Sequence, residues 1–299
     1  MVGFLERMGR GWSLTKTSFR IIREEKQLLW LPVISGITLV CLVLSFVAGL
    51  VGLFVWGDLF GAAGGAGVAV VVVLGFLFYI AVYFVGIYFN AALIHCATIK
   101  LQGGKPTLGD GFRAANQALG KLLAWAAVAA TVGMIISAIQ QRGGIIGKIV
   151  GTIAGVAWSI AIFFAVPVIL YEKLGPFSAV RRSVEIMRRT WGEAFGGTLG
   201  MGIIFFLLAL AGIIPFVGGL ALGISIGNVW VAVAFIILTL VYWLALAIFY
   251  SAAQGVLLAA LYRYAVTGAV SPGFAAAVYT NPWSAAATWQ APPPYKPSY

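Results

Sequence analysis

Charge is what this sequence has least of. Only 9% of its 299 residues are Asp, Glu, Lys or Arg, while 62% are hydrophobic and the mean hydropathy is +1.03. Soluble domains carry about 25% charged and 45–50% apolar residues, so this chain cannot assemble a water-soluble surface. Its solvent is lipid. The single histidine excludes an HExxH zinc helix, and the absence of GxxxxGK[ST] excludes a Walker-type phosphate loop. Two cysteines, Cys41 and Cys96, provide no zinc site. Their expected depths differ by roughly 10 Å, too far for a bridge. Both read as small apolar fillers.

What the chain does have is long uncharged runs, at residues 27–57, 59–99, 122–141, 149–171, 194–262 and 264–295. A spanning helix needs about 20 apolar residues. The run over 194–262 is long enough for two spans, and Pro215, Gly218, Gly219, Gly223 and Gly227 are expected to form the turn between them. The last run is too rich in small residues and proline to span. The expectation is an all-α polytopic bundle of about six transmembrane helices, near 29–56, 68–98, 122–141, 147–171, 195–215 and 229–262. Its parts are an N-terminal amphipathic segment (1–27), the six-helix domain (28–264) and a Pro- and aromatic-containing tail (265–299).

The net charge of +11 fits either nucleic-acid binding or the positive-inside bias of membrane proteins. Position decides between them. Seventeen of the 19 basic residues fall on one set of alternating segments, and only Arg142 and Lys148 on the other. This predicts a cytoplasmic-membrane protein with both termini inside, and nucleic acid is not needed. The first hydrophobic run follows a long charged segment, so it is expected to stay as a signal anchor.

An amphipathic helix is expected before each pair of spans, on the cytoplasmic side. Phe19 and Ile22 belong to the apolar stripe of the first, with Arg20 and Arg23 off it. Thr107 and Asp110 make a capping-box-like start to the second, whose stripe is Leu108, Phe112, Ala115 and Leu119. The third, over 175–192, carries Phe177, Val180, Val184, Met187 and Trp191 on one side, with Arg181, Arg182, Arg188 and Arg189 on the other. The entries share wording: GFRAA from Gly111, PFSAV from Pro176 and GFAAA from Gly273. This is a loose threefold repeat of unequal spacing. Such helices lie among anionic headgroups, the expected lipid partner, or pack on the ends of the bundle, and both can hold together.

Candidate functional positions are few. Asn90 and Gln254 stand at similar distances from the inner ends of their helices and are expected to face inward as a polar level. The competing reading is hydrogen bonding that merely fixes packing. Gly147, Gly151 and Gly155 form a close-packing stripe, for use within the bundle or in dimerisation. His95 has no acid within the spans to relay a proton with and reads as structural. Pro167 and Pro215 are expected to kink or end helices. Pro292, Pro293 and Tyr295 satisfy a PPxY pattern of the kind WW domains bind, a match short enough to arise by chance.

The stretch Val166–Glu172, followed by Ala179-Val180-Arg181-Arg182-Ser183 and Trp191, resembles a recurrent signature of prokaryotic multi-span proteins. That group includes the membrane domain attached to some glycerophosphodiester phosphodiesterases. Gly11-Trp12-Ser13-Leu14, Arg23-Glu24-Glu25-Lys26 and Leu31-Pro32 resemble an uncharacterised six-span family of bacteria and archaea, a domain of unknown function. The resemblance covers most of residues 5–265. It implies membrane topology and no activity, and no soluble phosphodiesterase domain is present; from the residues themselves no cofactor or metal is expected.

No catalytic set is found, so the chain is not expected to be an enzyme. A structural or accessory membrane scaffold or subunit is the leading expectation, with a membrane-protein partner or a second copy of itself. A conduit or carrier for a lipid or small neutral solute is the alternative, favoured by the repeat.

Overall fold

The computed structural model describes residues 17–56 and 65–268, and all regular structure among them is helical. The elements are α1 (residues 17–24), α2 (Gln27–Trp56), α3 (Gly65–Leu101), α4 (Leu108–Gln117), α5 (Leu119–Arg142), α6 (Gly144–Ala161), α7 (Ala165–Tyr171), α8 (Pro176–Ala211), α9 (Ile213–Ile226) and α10 (Val229–Thr267). Six stretches are long and apolar enough to cross a membrane: Gln27–Leu53, Gly67–Leu101, Leu119–Arg142, Gly144–Tyr171, Thr198–Ile226 and Val229–Thr267. Each run is nearly all apolar, so in lipid the backbone must satisfy its own hydrogen bonds, and the helix is the structure that does so. The PPxY tail and the repeat entry at Gly273 lie outside the described residues.

Of the three spans that contain proline, the first carries Pro32 near the start of an unbroken α2, and the other two are interrupted upstream of it. A proline ring clashes with the carbonyl four residues back and offers no N–H. The fourth span breaks at Ile162–Phe164 and resumes as α7, with Pro167 in its first turn. The Phe164 N–H left over by the break donates to Ser183 Oγ at 2.9 Å. The fifth breaks at Gly212 and resumes as α9, with Pro215 at its third position. There Tyr242 Oη donates to the Leu208 carbonyl (2.6 Å) and Trp243 Nε1 to that of Ala209 (3.2 Å), which also accepts from Gly212 N–H (3.1 Å), so α10 hydrogen-bonds to the carbonyls just before the break.

The turn expected over Pro215–Gly227 is therefore not where the sequence pattern put it. α9 continues the fifth span to Ile226, and the chain reverses at Gly227 and Asn228. Gly227 takes φ +67°, and Asn228 caps α10 by accepting from Trp230 N–H at 3.0 Å. Gly219 and Gly223 are packing surface instead. A Cβ on Gly219 would stand 2.1 Å from Phe235 Cβ, and one on Gly223 would stand 2.7 Å from Ala232 Cβ.

The chain divides into two compact units. Among the described residues, one takes in 17–30, Cys96–Pro106 and 189–268. In it Phe19 of α1 stacks on Phe205 of α8 (5.9 Å) and on Phe249 of α10 (5.8 Å), and Ser18, Ile21 and Ile22 are buried. Phe19, Ser18, Ile21 and Ile22 are thus covered by protein, and the rest of the expected first amphipathic helix, residues 1–16, lies outside the described residues. Lys100 closes on Glu24 (3.2 Å) and Glu25 (3.0 Å).

The other unit takes in Leu31–His95 and Thr107–Arg188. Its hairpin of α5 and α6 buries Trp125 beside Trp158. α4 opens with the expected capping box: Thr107 Oγ1 accepts from Asp110 N–H (3.2 Å), and an Asp110 oxygen accepts from Thr107 N–H (3.0 Å). The Thr107 hydroxyl also donates to Asp110 Oδ2 (2.7 Å), and this bond, with the one from Thr107 N–H, holds the Asp110 carboxyl below its ordinary value. α4 stops at Gln117, and Leu119 starts α5 with its side chain exposed, so it leaves the expected stripe.

Candidate functional site

Each amide of the expected polar level is placed by its own unit. Gln254, half-buried on α10, donates to Tyr250 Oη one turn earlier. The Tyr250 ring meets Phe205 edge-on at 5.0 Å, which continues the stack begun by Phe19. Asn90, half-buried on α3, shares a helix face with Tyr79 and Tyr83, since spacings of four and seven residues return to one side. Tyr79 donates to Tyr83 Oη at 3.2 Å. That hydroxyl lies against Gly133 of α5, where an added Cβ would stand 2.9 Å from it. The tyrosine pair was not anticipated from the sequence. Its only signal there is two phenols four residues apart inside an apolar run.

The glycine stripe closes the α5–α6 hairpin. A Cβ on Gly147 would meet the Ile139 carbonyl oxygen at 2.5 Å, and one on Gly151 would meet Gln140 Cγ at 2.4 Å. At Gly155 the contact relaxes to 3.7 Å from Ile136. The close approach is intramolecular at the first two positions.

The basic residues divide. Arg20, Arg23, Arg181 and Arg188 are exposed, and the Arg189 and Trp191 side chains lie outside the described set. Arg182 is not a surface residue, as the sequence grouping had it. It is 4% exposed, with Nε 3.0 Å from Glu172 Oε2 and one terminal nitrogen 3.0 Å from Glu185 Oε2. Burial alone would lower its pKa, but the hydrogen bond to Glu185 and the charge and hydrogen bond of Glu172 outweigh that and raise it. Two carboxylates make this arginine tolerable inside, and it ties the end of α7 to α8. Phe177 shows the reverse displacement. It stands 79% exposed at the start of α8, and the inward face is Ala179, Arg182, Ser183, Ile186 and Met187.

The carboxylates described are all engaged. Glu24 and Glu25 hold Lys100, Glu172 and Glu185 hold Arg182, and Asp110 caps α4. Tyr171 Oη lies 3.4 Å from His95 Nδ1. Neither cysteine is in a disulfide, Cys96 being buried and Cys41 exposed on α2. Among the described residues no three His, Cys, Asp or Glu side chains gather as a metal site.

A model of a family of unknown function (DUF6159) matches residues 68–274, well over half of the chain. No curated protein matches it. The comparisons add nothing to the likeness to the membrane domain of glycerophosphodiester phosphodiesterases, and the family carries no stated activity. Its six apolar helices and this match make the chain a multi-pass membrane protein belonging to that family of unknown function.

Proposed function

We propose that the protein is a structural or accessory membrane scaffold and not an enzyme, held in the cytoplasmic membrane with both termini inside. One observation carries the reading: six hydroxyls within the spans close on their own helices, while Thr198 Oγ1 is buried without a partner. The hydroxyls of Thr38, Ser45, Thr131, Thr152, Ser159 and Thr239 each donate to the carbonyl four residues earlier. The ion pairs described stand at span ends and on the amphipathic segments. What the protein offers a partner is its outer surface, where α2 leaves Ile37, Val40, Leu44, Val47 and Val51 uncovered. Cross-linking in intact cells followed by mild detergent extraction tests this. A defined complex, with a second copy or another membrane protein, is expected. A monomer that moves a solute or lipid across proteoliposomes overturns it.

The carrier reading is favoured by the polar face of Tyr79, Tyr83 and Asn90, and replacing Asn90 and Gln254 together by leucine separates the two. A scaffold loses little, since membrane hydrogen bonds are worth about 0.6 kcal/mol each, and its complex persists. A carrier loses transport while its helicity and melting point hold.

Orientation is tested by cysteines placed in a background lacking Cys41 and Cys96. Positions Gln141 and Ser225, exposed near the outer turns, are expected to react with an impermeant maleimide in intact cells. Gln102 and Ser178 react only after permeabilisation. The opposite pattern inverts the topology.

A further inference from the structure

Glu172 and Glu185 close on Arg182 in the first half of α8. Among the described residues no ion pair reaches Arg181 or Arg188, and both are exposed. They are also aligned. Positions 177, 181, 184 and 188 are spaced by four, three and four residues, which places Phe177, Arg181, Val184 and Arg188 along one face. The opposite face holds Ala179, Ser183 and Ile186, all buried. The outward stripe therefore begins with an aromatic ring 79% exposed and continues through two uncompensated guanidinium groups. The helix is interrupted at Thr190 (φ −113°, ψ 19°), before the span that begins at Thr198, so this segment is a separate helical stretch.

We propose that this face is a docking surface for anionic phospholipid headgroups. The Phe177 ring enters the boundary between headgroups and acyl chains, where water no longer opposes its exposure, and Arg181 and Arg188 bind lipid phosphates through paired N–H donors. An apolar partner surface would leave two guanidinium charges desolvated and unpaired, whereas the headgroup layer supplies both an apolar floor and counter-charge. The inference deepens the proposed function by naming a lipid partner. It rests on the membrane location and not on the scaffold's protein partner, so the two tests fail separately.

The full chain is reconstituted in phosphatidylcholine bilayers containing spin-labelled phosphatidylglycerol or spin-labelled phosphatidylcholine, and the fraction of each lipid immobilised by the protein is compared. The wild type is expected to prefer phosphatidylglycerol, with the preference declining as salt rises. Changing Arg181→Gln and Arg188→Gln together weakens it by roughly fivefold per charge removed, and Arg181→Lys with Arg188→Lys keeps most of it. Phe177→Ser weakens binding at unchanged salt dependence. Circular dichroism confirms that each variant is folded, as expected for exposed positions. An unchanged preference in the double glutamine variant overturns the proposal. So does capture of an acidic peptide such as polyglutamate by a wild type indifferent to phosphatidylglycerol, which would assign the face to a protein partner.

Discussion

Gly219→Ala destabilises the last hairpin by about 3 kcal/mol, whereas Gly218→Ala next to it is neutral or slightly stabilising. At Gly219 the new methyl would stand 2.1 Å from Phe235 Cβ and 2.3 Å from its Cγ, so α9 and α10 must separate or shift. No rotamer of Phe235 relieves this, because its Cβ is fixed by the backbone. Gly218 has nothing within 4 Å of its ideal Cβ. There the substitution only replaces glycine by a better helix former, a gain of up to about 1 kcal/mol. Thermal unfolding of the two variants in the same detergent compares them directly. Equal melting points would mean that α9 does not pack on α10 through this glycine. Gly223 should follow Gly219, since its added methyl would lie 2.9 Å from the Ala232 backbone nitrogen.

Arg182→Met produces the second large loss, about 3–5 kcal/mol, and Arg181→Met beside it stays within about 0.5 kcal/mol. Removing the buried guanidinium leaves Glu172, itself only 15% exposed, without its counter-charge. Glu185 is more open at 45% and loses less. Neutralising the stranded carboxylates should therefore restore part of the stability. Arg182→Met with Glu172→Gln is expected to melt above Arg182→Met alone, and adding Glu185→Gln should contribute a smaller increment. The measurement is again thermal unfolding, read as a cycle over the single and combined variants. If Glu172→Gln gives no recovery, the arginine is held by packing and not by charge.

Both predictions turn on a choice between chemically equal neighbours, and that choice marks the boundary of what one dimension of information specifies. The spans were legible because hydropathy is local: a run such as residues 68–98 must be helical in lipid whatever surrounds it, and α3 covers it. The capping box at Thr107 and Asp110 was legible for the same reason, being complete within four residues. Pro167 and Pro215 marked their breaks only approximately, and Pro32 marked none. The clash falls on the carbonyl four residues back, so the helix yields near Phe163 and at Gly212 while Pro167 and Pro215 sit inside the restarted turns.

Gly218, Gly219, Gly223 and Gly227 look alike in the sequence because glycine serves both reversal and close packing. Tertiary structure separated them: Gly227 needs a positive φ, Gly219 and Gly223 need room for α10, and Gly218 needs neither. Arg181 and Arg182 are likewise identical in type and adjacent in the chain. Of these two, Arg182 is the one in an ion pair with Glu172 at the end of α7, and a turn of 100° on the helix leaves Arg181 outside. The polar candidates obeyed the same rule. Gln254 found its partner one turn away on its own helix, whereas Tyr83 gained its setting from Gly133, fifty residues on. The sequence by itself determined the solvent, the number of spans and the local caps, since each follows from a few consecutive residues. Which glycine is contact, which arginine is buried and which phenol meets α5 depend on register between distant helices, and only the folded chain decides that.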